Sequence, residues 1–483
     1  MERREFRIFG RQLARGIGLA AVVLLTAAAP AFASSAKLVR DIKPGPPDGW
    51  PPPDSLPHAF ADLGGTAMFF ADDGVTGFEL WRSDGTAPGT DLVRDIYPGI
   101  EDSVPFVADS PVTVGGNIFF AANDGIHGID LWRSDGTAAG TKLVRDLSPG
   151  AFGSGPQSLV RFGGKVYFAA DDGEHGLELW RSDGTAAGTR LVHDTNPGAD
   201  WSYMTELTAA GDTLYFDALD GVHGVELWRS DGTRRGTKMV RDIRPNAGRW
   251  SSGSHPTDLT RVGQVLFFIA NDGTHGYELW RSNGTARGTR LVRDIRPGET
   301  GLLGATDITG VGGVAFLRAG DGTHGEELWR SDGTPGGTRL VRDINPGSAS
   351  SLPYQLEKSG GTLFFAADDG THGKELWRSD GTAIGTKLVR NIRGGARPSS
   401  PDELTDVAGT LFFAAGDGIH GYELWSSDGT FAGTTLLDIR PDESEGGYGD
   451  RGSFPRFLTD IGGTLFFAAN DGTHGREPWK ATP

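Results

Sequence analysis

Residues 360–392 read GGTLFFAADDGTHGKELWRSDGTAIGTKLVRNI, and close copies of this string fill the chain. The tryptophan of its ELW segment recurs at Trp81, Trp132, Trp180, Trp228, Trp280, Trp329, Trp377, Trp425 and Trp479, with successive gaps of 51, 48, 48, 52, 49, 48, 48 and 54 residues. A period near 50 marks a repeat architecture, in which each unit is one small element that buries its apolar face only by stacking on its neighbours. Within a unit only strands fit. After the N-terminal segment, the longest stretch without Gly or Pro is 199–210, which leaves no room for a series of ordinary helices. In the third unit the pattern predicts strands at 158–162, 165–170, 178–181 and 190–194, separated by Gly-rich turns. The second strand, LFFAA at 363–367, is apolar without alternation, as expected of a strand covered on both faces. Four-stranded sheets stacked radially are propeller blades.

The two ends of the chain bear on whether the ring closes. The last unit stops after its third strand at Glu477-Pro478-Trp479-Lys480, while an orphan copy of the fourth strand, KLVRDI, stands at 37–42 before the first complete unit. A linear solenoid has no use for this permutation, whereas a ring gains a closing blade with no exposed sheet edge. The expected fold is all-β: a single closed β-propeller of nine four-stranded blades, the last closed by the N-terminal strand 37–42. Two smaller rings or an open superhelix are the alternatives, since nine exceeds the usual blade number.

Composition narrows the chemistry. The 483 residues include 75 Gly and no Cys, and carry a formal charge of -17. Without cysteine there is no disulfide framework, thiol nucleophile or thiolate metal site. The acidic excess argues against nucleic acid or an anionic membrane as partner. At the N-terminus, Arg3, Arg4, Arg7, Arg11 and Arg15 precede an apolar run over 17–29 and the small-residue end Ala31-Phe32-Ala33. That is an export signal over 1–33, leaving 34–483 as the repeat domain with no integral membrane segment, in the periplasm, on the cell surface or secreted. Arg3-Arg4-Glu5-Phe6 resembles the twin-arginine signal, though the same arginines suit the general secretory route.

The string ELWRSDGT at 79–86, 178–185 and 226–233 is similar to the signature of the bacterial ELWxxDGT repeat proteins, and the similarity covers essentially all of 37–483. The resemblance implies an exported protein with a propeller-like fold; it carries over no catalytic residue.

Each recurrent residue has a structural reading and a functional one. Ser-Asp-Gly-Thr between the third and fourth strands reads as a tight turn rather than a calcium ligand, because the fifth unit has Ser282-Asn283-Gly284, which keeps the turn and loses the charge. The ELW carboxylates are Glu79, Asp130, Glu178, Glu226, Glu278, Glu327, Glu375, Glu423 and Glu477. With the hairpin centred near Thr86-Ala87, Glu79 is expected to face Arg94, Asp130 Arg145, and Glu375 Arg390, as cross-strand ion pairs. Eight of eleven histidines, from His127 to His474, share one position, with Thr76 in the first unit. One per blade cannot gather into a zinc site, so each is expected to hydrogen-bond within its turn. The neighbouring acids, such as Asp171-Asp172-Gly173, leave calcium as the one cofactor alternative to none.

Function is expected in the loops between blades, which vary while the repeat does not. They hold Trp50 in 46–57, Trp201 and Tyr203 in 199–203, Trp250 and His255 in 245–256, and Tyr448 in 441–456. Exposed aromatics there suit stacking on a sugar or anchoring a protein partner, although a loop can also fold onto its own ring. The expected activity is therefore non-catalytic binding or adhesion. A polysaccharide hydrolase or lyase, or a structural envelope or matrix component, are the alternatives; an enzyme should show singular residues breaking the repeat in one sector.

Overall fold

The computed structural model describes residues 35–45, 52–104, 110–245, 252–298, 301–302, 307–441 and 452–483. Residues 1–33, Trp50, Trp250 and Tyr448 lie outside them. The described chain forms nine four-stranded antiparallel sheets arranged as a β-propeller. Blade seven is typical, with strands Tyr354–Ser359, Thr362–Asp368, Lys374–Ser379 and Lys387–Arg390 in that spatial order. The first strands of successive blades lie against one another and line the centre; the fourth strands form the outer rim. In blade three the strands are Gln157–Phe162, Lys165–Asp171, Leu177–Ser182 and Arg190–His193, each end within one residue of the sequence expectation.

The unalternating second strand is explained by the stacking. Successive side chains point to opposite faces of a strand. Phe365 accordingly packs with Phe316 and Trp377 on the side of blade six, while Phe364 packs with Phe413 and Trp425 on the side of blade eight. Burying one such ring contributes about 2–3 kcal/mol, and every seam repeats the contact. Between the first two strands the Gly360-Gly361 turn has φ of 54° and 89°, the mirror-image conformation that matches the twist of a hairpin. In the outer hairpin Gly381 sits at φ 84°, and a Cβ on Gly385 would fall 2.0 Å from the Asp380 carboxylate.

The ring closes as expected, with a shorter strand. Ala36–Leu38 completes the last sheet, pairing Leu38 with Trp479. The chain then stays attached through Val39 N to Pro478 O at 2.9 Å and Ile42 N to Glu477 Oε2 at 2.9 Å. The seam between the last and first blades is as apolar as the others, with Phe466 and Ile461 against Phe60, Phe69 and Trp81. A truncation lacking residues 1–42 is expected to expose the Arg476–Ala481 edge, melt at a lower temperature than the chain retaining 34–42, and be cut first by protease in the last blade. Equal melting temperatures and cleavage patterns would refute closure by this strand.

Candidate functional site: the loop face of the ring

The loops joining second to third strands share one face with the loops joining blade to blade, because strands alternate in direction. In blade seven, Asp369 Oδ1 accepts Thr371 N and His372 N, at 2.9 and 2.8 Å, and its Oδ2 meets His372 Nδ1 at 2.8 Å. Asp124–His127, Asp172–His175 and Asp417–His420 repeat this, and Thr76 Oγ1 substitutes on Asp73 at 3.1 Å. The histidine is thus the turn-holding residue expected. Both oxygens of Asp369 are occupied within its own loop. Among the described residues no group of three or more His, Asp or Glu is placed to hold a metal ion.

The ELW carboxylate does not make the expected ion pair. A bulge between Leu376 and Trp377 shifts the register, so Arg390 lies opposite Leu376; likewise Arg94 lies opposite Leu80 and Arg145 opposite Leu131. Glu375 is instead fully buried. It accepts Ile392 N at 2.9 Å, Ser399 N at 3.0 Å and Ser399 Oγ at 2.6 Å. The arginine serves the seam: Arg342 of blade six stacks 5.7 Å over Trp377 of blade seven and donates to Thr386 O at 2.6 Å. Burial raises Glu79, Glu178, Glu278 and Glu423 to about 7, Asp130 to about 6 and Glu477 to about 8, against the donors that hold the charge.

Ser399 belongs to a second recurrent motif that the sequence reading passed over. Ser55, Ser103, Ser154, Ser202, Ser254, Ser351, Ser399 and Ser453 occupy one position of the inter-blade loops, and all but Ser202 begin a Ser-x-Pro triplet. The signal was a fixed distance of 24 residues from the ELW carboxylate in most units, lengthening to 28 and 30 at Ser254 and Ser453. Most residues that follow these serines are left-handed: Leu56, Tyr203, His255, Leu352, Ser400 and Phe454 have φ of 43–52°. Such a backbone is uncommon for bulky residues and persists where surrounding bonds impose it.

Two of the sequence-selected site residues, Tyr203 and His255, occupy this position in adjacent loops. Tyr203 is 54% exposed and Trp201 50%, with ring centroids 6.4 Å apart, so this loop turns its aromatics outward. Beneath, Met204 takes the place of proline in the core. His255 is half-buried, its N–H donating to Val225 O at 3.1 Å.

The innermost strands add residues that were not foreseen. At the position that is Ala59, Ser158 and Phe457 elsewhere, blades four, five, six and eight carry Glu206, Asp258, Asp307 and Glu403. These carboxylates stitch blade to blade, as in Gln355 N to Asp307 at 3.3 Å and Leu458 N to Glu403 at 3.2 Å. Burial raises Glu206, with the charges of Asp217 and Asp258 adding to it, and raises Asp258, against the N–H of Asp307. Asp217, where other blades mostly have Ala, takes Thr205 N and Glu206 N at 2.8 Å each, and the first strand of blade four is cut to Thr208–Ala210. A recess of about 280 Å³ lined by Asp307, Gln355, Glu357 and Leu404 opens beside them. The repeat is therefore broken by inner acids in blades four, five, six and eight, and by Asp217 in blade four alone.

No family model matches the chain, and no curated protein matches it. Solved structures similar to it include a prolyl endopeptidase (14% identity, TM-score 0.41, covering 75% of this chain and 54% of that one), a puromycin hydrolase (15%, 0.38, 77% and 61%) and a Mycobacterium tuberculosis puromycin-hydrolyzing peptidase (12%, 0.42, 88% and 61%). The chain thus matches less than two thirds of the length of these proteins.

The buried acids set a pH dependence. A carboxyl raised above its usual 4.5 contributes stability that is complete below that value and is lost as pH rises through about 7 for Glu423 and about 8 for Glu477. His127, His175, His223 and His420, raised by their Asp partners, act in the same direction above 6.5. Burial would raise Asp124, but the His127 hydrogen bonds outweigh it, so that acid's contribution is lost only as pH falls below 3.8. Calorimetry should show the melting temperature falling from about pH 5 to about pH 9, with a shallower fall in Glu423→Gln; a rise across this range would contradict the assignment.

Proposed function

We propose that this chain is an exported, non-catalytic carbohydrate-binding propeller of the ELWxxDGT repeat type, which takes its ligand on the loop face of blades four to six. The exposed Trp201–Tyr203 pair carries the reading. Aromatic rings stack on the apolar faces of sugars, and carboxylates beside them accept sugar hydroxyl hydrogens. Glu206 and Asp307 stand just before the inner strands of blades four and six, Asp258 lies in that of blade five, and all three supply such acceptors. Their backbone partners in neighbouring blades favour a binding role over a general acid and base, which needs one pair with separated proton affinities.

A second reading, docking of a protein, is favoured by the apolar loop tips of the first four blades, where Phe152 is 93%, Ile126 74% and Ile100 73% exposed. Glycan-array screening followed by calorimetric titration of the best oligosaccharide tests the first. Trp201→Ala and Tyr203→Ala are each expected to weaken binding by about tenfold, or about 1.4 kcal/mol, with unchanged melting. Full affinity in both variants would sink the site, and turnover of the oligosaccharide would replace binding by catalysis. Loss of a captured protein in Phe152→Ser, with no glycan hit, would favour the second reading.

A further inference from the structure

The opposite face, formed by the outer hairpin turns, carries a cationic cluster that the loop-face reading does not use. In most blades the third and fourth strands place two cations directly opposite each other: Arg181 and Arg190, Arg229 and Lys238, Arg281 and Arg290, Arg330 and Arg339. Like charges in this relation destabilise a strand pair. Blade one avoids the conflict with Arg82 opposite Asp91, and blade eight with Ser426 bonded to Thr435. Elsewhere the turn aspartate is the local counter-charge, as Asp332 is for Arg330.

Blades four and five add cations beyond that balance, although Asp231 remains the counter-charge of Arg229 in blade four. At the two turn positions that are Ala138-Ala139 and Ala186-Ala187 in blades two and three, blade four has Arg234-Arg235, and blade five has Ala286-Arg287. Blade five also has Asn283 where the other seven outer turns have Asp. Burial and the neighbouring Arg290 lower the proton affinity of Arg281, against the charge of Asp332 in the turn of blade six. Among the described residues, none of Arg229, Arg235, Lys238, Arg281, Arg287 and Arg290 makes an ion pair within the chain. A recess of about 340 Å³ lies here, lined by Arg229, Arg235 and Lys238 of blade four together with the turn carboxylate of Asp231 and the hydroxyl-bearing Thr213 and Thr233. Arg229 reaches over to the turn of blade five, where a Cβ on Gly284 would fall 3.3 Å from its Nη1.

We propose that this recess binds an acidic oligosaccharide, its sulfate or carboxylate groups seated between the hairpins of blades four and five. Guanidinium forks pair with both oxyanions in two-point fashion, and the threonine hydroxyls suit a sugar ring. A nucleic acid fits less well. The recess lining contains no aromatic ring on which bases would stack, and the chain's charge of -17 repels a long polyanion beyond the patch.

Titration with a chondroitin sulfate oligosaccharide and with an oligogalacturonate, against uncharged maltohexaose, tests the site. At least one acidic probe should bind, more weakly as salt rises, and maltohexaose should not compete. The triple variant R234A/R235A/R287A should lose about tenfold or more in affinity while melting like the parent, since sister blades carry alanine there. Asn283→Asp, which restores the usual turn charge, should weaken binding severalfold. Trp201→Ala should leave it unchanged, which separates this site from the loop face. Unaltered binding in the triple variant, no binding of either acidic probe, or tighter binding of a single-stranded oligodeoxynucleotide of equal charge would each overturn the proposal.

Discussion

Every blade buries one carboxylate at the start of its third strand with no cation beside it. Moving an unpaired carboxylate out of water costs several kcal/mol unless donors replace its hydration. Here the donors come from separate parts of the chain. Glu226 collects Ile243 N and Arg244 N just beyond the fourth strand of its own blade, and Ser254 N and Oγ from the loop that leads into the next. The acid therefore ties the third strand both to the segment beyond the fourth strand and to the loop entering the next blade, reinforcing the backbone bond of His255 N to Val225 O at 3.1 Å. In the last blade those segments come from both ends of the sequence: Glu477 takes Ile42 N at 2.9 Å and Ser55 Oγ at 2.7 Å. Closure of the ring is thus made twice, by the short strand Ala36–Leu38 and by this polar knot beyond it.

The knot tolerates substitution where other donors remain. Asp130 performs the role with a shorter arm, accepting Ser154 Oγ at 2.5 Å. Where Leu302 replaces the serine, Glu278 still holds Ile295 N and Arg296 N at 2.9 Å each. The seam has the same latitude. His193 takes the place of the stacking arginine in blade three, with its ring centroid 6.2 Å from that of Trp228. Because each seam repeats the same few contacts, stability accumulates blade by blade, and the loss of one variant contact is diluted around the ring.

This organisation explains what was legible in the sequence. Strands, blade number and closure follow from periodicity and Gly-rich turns, which are local signals repeated nine times. The Glu–Arg pairing was misread because counting across a hairpin assumes a regular ladder, and a single bulge at Leu376/Trp377 moves every later partner by one residue. The serine of the knot escaped notice because it sits in loops of unequal length, where a recurrent residue looks like part of a variable stretch. Of the aromatics picked out in those loops, Trp201 and Tyr203 stand exposed together, whereas the acids of the inner strands were invisible until the topology set Glu206, Asp258 and Asp307 at equivalent places.

The repeat also supplies an internal standard against which departures can be judged. A blade needs its paired phenylalanines, its buried acid and its stacking cation; it does not need Asp217 in place of alanine, Met204 in place of proline, or arginines at 234 and 235. These departures fall in blade four, at both ends of its strands, with aromatics and acids on the loop face and added cations on the turn face; Arg318 in blade six and Glu403 in blade eight are departures elsewhere. Drift on a scaffold of nine equivalent units would scatter such changes around the ring. A ligand meets only the blades it touches, and the departures grouped in blade four are the ones on which both proposed sites draw. The contacts repeated at every seam hold that blade in place whatever its loops and turns carry.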